Sequence, residues 1–165
     1  MSSQVSFFLS IAFSMVAWSL VTSRYIWPRL RSWQQDEALR PLLLLHSFRF
    51  VGLAFLVPGV VSPALPLRFA HAAAYGDIAA ATLALLSLAL QSSGLGVGVA
   101  WIFNLWGSAD LLDAFYQASR SGLSPGQLGA TYFIPTLVVP LLLITHGVMF
   151  RILLRHPPAP PSTIT

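Results

Sequence analysis

Cysteine is absent from the 165 residues, and so is lysine. The first absence excludes a disulfide framework, a thiolate metal site and a cysteine nucleophile. The second removes every lysine Schiff-base mechanism, including a retinal pigment of the rhodopsin kind. Charge of either sign is scarce, at 8% of the chain, and all nine basic residues are Arg. Soluble domains carry about 25% charged residues, so this scarcity argues against a surface built to face water. Enzyme signatures are missing as well: there is no H-E-x-x-H, no G-x-S-x-G and no phosphate-cradling loop. Gly94, Gly96 and Gly98 read as a turn followed by close helix packing, because no phosphate-binding context follows them. No serine has an evident partnered base, so an enzyme is not expected.

Apolar sequence takes the place of charge. Hydrophobic residues make up 56% of the chain and the mean hydropathy is +0.73. The formal charge of +4 is not a nucleic-acid signal, because the Arg residues flank apolar runs, as membrane topology requires. Five apolar runs fall within the range of about 17–25 residues that a membrane-spanning helix takes. They lie at about 4–22, 41–57, 69–91, 95–113 and 128–150. The first has no basic leader and no sharp cleavage site, so it reads as a retained helix rather than a signal peptide. The second is opened by Pro41 at a helix N-terminus, where a missing N–H costs nothing. Small residues at Ala73, Gly76, Ala80, Ala84 and Ser87 let the third helix approach its neighbours closely. Pro135 and Pro140 should kink the fifth. The segment 58–68 is an irregular proline-rich connection, 114–127 is a polar loop, and the tail 156–165 reads as disordered.

Arg placement orients the bundle. Arg24, Arg29, Arg31 and Arg40 lie between the first two runs, and Arg151 and Arg155 follow the last. Arg68 and Arg120 fall on the other side. The positive-inside rule then puts the N-terminus outside and the C-terminus in the cytoplasm. The expected architecture is a single all-α domain over 1–155, a polytopic five-transmembrane-helix bundle.

The second run, PLLLLHSFRFVGLAFLV, carries His46 and Arg49 inside it. A charge at that depth is a functional-site hypothesis once a partner is named. Counting residues puts Arg49 about 12 Å from one end of its span and Asp77 about as far from the other end of the next. The predicted centre is therefore an Arg49–Asp77 pair with Asn104 nearby. Asp77 exchanges a proton or cation there, and Arg49 tunes it as an opposite charge. His46 and His146 fall at matched depth on different helices, a geometry open to one metal or to axial haem ligation, or to plain hydrogen bonding. A further group lies toward the outer side. His71 and Tyr75 share one helix face, and Trp106, Asp110 and Asp113 share another. Asp110, Asp113 and His71 are a candidate cation site, set apart from Asp77 and Asn104 by a rotation of about 120° at about 100° per residue.

The order of Arg49 in the second run, a proline-rich connection, Tyr75-Gly76-Asp77, Trp101-x-x-Asn104, Asp110-Leu-Leu and a proline-kinked last helix resembles that of small bacterial inner-membrane proteins. The resemblance implies that location and no activity.

Three functions fit these residues: small-molecule or ion binding and translocation through Arg49, Asp77 and Asn104; a haem-binding redox subunit using His46 and His146; or a structural or assembly subunit. The expected surroundings are lipid, with a second copy or a partner membrane subunit, since one chain is small for a transporter.

Overall fold

The computed structural model describes residues 2–155, whose secondary structure is helix, with no strand among them. The tail read as disordered lies outside the described residues. Four helices are long and apolar enough to cross a membrane: α1 (Ser3–Leu30), α2 (Gln35–Leu56), α3 (Leu67–Ala89) and, after α4, α5 (Ile134–Leu153). The other long helix, α4 (Gly96–Arg120), has the length at 25 residues but not the apolarity. Asn104, Asp110 and Asp113 lower it, and the first two turn inward.

Two expectations about helix ends are corrected. The loop expected from residue 23 starts later, because α1 continues to Leu30 through a π-helical turn at Thr22–Ile26. Trp27 N–H reaches back five residues to Thr22 O, just before Pro28. The same device recurs in α5, where Val139 N–H reaches back to Ile134 O just before Pro140. In both places the wider turn accommodates a proline that cannot donate an N–H, and the helix bends without ending. Pro41 does not open α2. The helix starts at Gln35, and Pro41 lies inside it on the exposed face, where water can solvate the Glu37 carbonyl it leaves free.

The second half of α2 departs further from an α-helix. Phe48–Leu56 is a nine-residue 3₁₀ helix, long for a winding that rarely exceeds three or four residues. At about three residues per turn, positions i, i+3 and i+6 fall in one line. Arg49, Gly52 and Phe55 are the buried residues of this stretch, and they form that line against α3.

Helices α3 and α4 form an antiparallel hairpin around a short turn, which Gly94 closes at φ 75°. Ala80, Ala81 and Ala84 are buried along α3, and Ser87 Oγ donates to Gly96 O across the hairpin (2.8 Å). At the opposite end of the bundle, the connection after α2 docks onto the segment before α5. Ala130 N donates to Val60 O (2.8 Å) and Ser62 N to Gln127 O (3.0 Å). Gly129 makes this possible at φ 54°, where a Cβ would run into Val60 O.

Two apolar clusters stack along the bundle. One gathers Leu39, Leu43, Ala84, Phe103, Met149 and Ile152 at the end where Arg151 and Arg155 lie over the Trp27 ring. The other gathers Phe55, Phe69, Leu128 and Ile134 toward the N-terminal end of α1. Buried Arg49, Asp77, Asn104 and His146 lie between them.

Candidate functional site

Arg49 is 1% exposed and is the largest fully buried side chain of the described residues. Its Nε donates to Asp77 Oδ1 (2.7 Å) and its Nη2 to Asp110 Oδ2 (2.5 Å). Its Nη1 donates to the Gly107 carbonyl (3.2 Å) and faces His146 Nε2 (3.5 Å). The guanidinium fork therefore joins α2 to α3, α4 and α5. It is held as a charged group must be at this depth, by carboxylates and carbonyl together.

The imidazoles follow from this. His146 Nδ1 lies 2.7 Å from Asn104 Oδ1, and Asn104 Nδ2 donates to His146 O (3.4 Å). An amide oxygen accepts, so Nδ1 carries the proton and Nε2 presents its lone pair to Arg49. Thr145 Oγ1 lies within donating distance of Leu141 O and Leu142 O, and His46 Nε2 is 3.0 Å from it. His46 thus donates from Nε2, and its Nδ1 is buried without a partner among the described residues.

The readings made from sequence separated groups that the structure joins. Asp77 is on Arg49, as residue counting places it. Asn104 touches His146 rather than Arg49. Asp110, assigned above to an outer cation site, is bonded to Arg49. That cation site does not form. Asp113 is exposed and accepts from Gln117 on its own helix, while His71 is exposed and packs edge-on against Tyr75. No group of three or more His, Asp and Glu side chains suited to a metal ion occurs among the described residues. Tyr75, likewise exposed at 58%, lies outside the polar cluster.

The haem reading does not fit the residues present. The His46 and His146 ring centroids are 4.2 Å apart, so the rings are in contact and no macrocycle fits between them. The Nε2 atom of His146 also faces a guanidinium, a poor neighbour for a bound metal cation.

The family model described as Domain of unknown function (DUF8737) matches residues 6–154. The chain belongs to this family. No curated protein and no solved structure matches it.

Three glycines complete the cluster around Arg49, and of these the sequence reading singled out only Gly76, as a close-packing residue. A Cβ at Gly52 would occupy the position of the Asp77 carboxylate, and one at Gly76 that of the Asp110 carboxylate. At Gly107 it would stand 2.7 Å from His146 Cε1 and 2.8 Å from Arg49 Nη1. Each charged group thus lies against a bare Cα on a neighbouring helix. Gly52 three residues after Arg49, and Gly107 three residues after Asn104 and before Asp110, were the available signals.

The carboxylates also face open space. A cavity of about 530 Å³ lies between α1, the end of α2, α3, α4 and the start of α5. Its walls include Phe7, Phe8, Phe55, Phe69 and Phe115, and both Asp77 and Asp110 line it. Arg49 does not, its side chain being 0% exposed against 11% and 17% for the two carboxylates.

Proposed function

We propose that this chain is a five-span integral membrane protein of the bacterial inner membrane, N-terminus outside, whose buried centre takes up and releases a proton or small cation during binding or translocation. The observation that carries the reading is the charge balance around Arg49: one guanidinium bonded to two carboxylates. That leaves one surplus negative charge in a low-dielectric interior, where uncompensated charge is costly. A proton or a cation on the carboxylate pair is the simplest compensation.

The five-span orientation has support beyond Arg counting. Arg155 donates to the Leu30 and Arg31 carbonyls, and Arg40 donates to Gln91 in the α3–α4 turn. Arg40 and Arg155 therefore lie at one end with the 23–40 connection, the end a cytoplasmic face would occupy, while Arg68 and Arg120 lie toward the other. Only 11% of the apolar window of α1 is buried within the chain, which leaves a face for lipid, a second copy or a partner subunit.

A second reading has its own observation. The Arg49 fork ties α2 to three other helices, which a purely structural or assembly subunit would also use to fix their register. Infrared difference spectroscopy of the full chain in lipid discriminates the two. Exchange on the centre is expected to give a carboxylic-acid band that titrates with pH and disappears in Asp77→Asn or Asp110→Asn, with the variant still folded. No titrating carboxyl, or variants that lose only thermal stability, would leave the structural reading.

A further inference from the structure

The cavity beside the polar cluster has a composition that selects a ligand. Its walls are mostly apolar and rich in phenylalanine, with Gln4, Ser119 and Gly122 at the end formed by the first turn of α1 and the close of α4. From Ser119 to Asp110 along α4 is nine residues, or about 13 Å at the α-helical rise. The inner end is charged, and of one sign. Arg49 is screened behind the two carboxylates, so a molecule in the cavity meets Asp77 and Asp110 and not the guanidinium.

Each carboxylate uses one oxygen on Arg49. The second oxygens, Asp77 Oδ2 and Asp110 Oδ1, have no hydrogen-bond donor among the described residues and rest against the bare Cα atoms of Gly52 and Gly76 at the cavity edge. Asp77 is nonetheless only 8% exposed as a residue, which is deep for a carboxylate with an oxygen unpartnered. A volume of about 530 Å³ lies within the range of drug-sized ligand pockets, about 300–1,000 Å³. An anion would be repelled at the inner end. A hydrated inorganic ion would leave the phenyl walls against water. A cation on an apolar body satisfies both ends, and aromatic faces attract such cations further.

We propose that this cavity binds an amphipathic monocation, an amine or ammonium-like group carried on an apolar or aromatic body, with the positive centre against Asp77 and Asp110. The assignment rests on the surplus negative charge proposed for the centre. The cation replaces the proton there: binding to the protonated pair releases one proton, and charge balances without any other partner.

The test uses two probes of the same shape and opposite sign, tetraphenylphosphonium and tetraphenylborate, with the full chain in nanodiscs and empty nanodiscs as the partition control. Tetraphenylphosphonium is expected to bind saturably, at least tenfold more tightly than tetraphenylborate, and to release protons into weak buffer. Asp110→Asn is expected to weaken it by tenfold or more. Should that variant not fold, Ala118→Phe narrows the cavity outside the polar cluster and is expected to abolish binding. Equal binding of both probes, no saturable binding, or unchanged binding in Ala118→Phe would each overturn the proposal. The infrared titration reads proton exchange without any ligand, so a titrating carboxyl with no cation binding refutes the ligand assignment alone, and no titrating carboxyl refutes the reading beneath it.

Discussion

Toward the Arg-rich end, Phe103, Met149 and Ile152 close on Ala80, Ala84 and Ala100, all at 0% exposure. Toward the other end the same bundle surrounds a cavity with Phe7, Phe55 and Phe69 on its walls. Large side chains are plentiful in both halves, so they do not explain the difference. The small residues of the α3–α4 seam and the winding of α2 and α5 do. In the filled half, alanines on α3 and α4 allow close approach of regular α-helices. In the open half the elements are a 3₁₀ stretch, two docked connections and the π turn at Ile134–Val138, and these hold the helices apart. Asp77 and Asp110 stand on the boundary, with Arg49 behind them.

The largest expected effect attacks that boundary. Arg49→Leu leaves two buried carboxylates facing each other without a cation, and breaking a buried pair in this way costs about 3–5 kcal/mol. Thermal unfolding in detergent is expected to show it, with Asp77→Asn in the same background recovering part of the loss. A matched pair of substitutions probes the contrast directly. Ala84→Phe overfills the packed half and is expected to cost about 1–3 kcal/mol or more. Ala118→Phe enters the cavity and is expected to be nearly neutral; similar losses in both would show that the open half is no roomier than the closed one. The smallest effect is expected at Asp113→Asn. Asp113 is exposed and, among the described residues, bonds only its helix neighbour Gln117, so the variant's stability should stay within about 0.5 kcal/mol of the parent.

Much of the helical layout was legible because apolar runs and their Arg-rich flanks follow from the cost of charge in lipid. The Arg49–Asp77 approach was legible for the same reason, since a buried guanidinium needs a carboxylate at its own level. Asp110 reads as too far out from sequence because a rotation of about 120° separates it from Asn104 on the helix. Gly107 removes the obstacle between them, and the guanidinium lies across the gap, touching the Gly107 carbonyl and Asp110 from one position. The matched depth of His46 and His146 was legible, but not that their rings touch. Helix ends were misplaced at Pro28 and Pro41 because a proline forbids one hydrogen bond without deciding how the chain absorbs the loss: by a wider turn in one case, by solvent in the other.

The tight winding of Phe48–Leu56 also sets how high the charge sits. Nine residues at about 2.0 Å each measure about 18 Å, where α-helical winding of the same nine would measure about 13.5 Å. Arg49 is the second residue of this stretch and the docked connection follows it, so the guanidinium hangs several ångströms lower beneath that connection than residue counting alone would put it. In a bilayer, altitude is energy for an ion, and here it is governed by the pitch of one short segment as much as by its residue count.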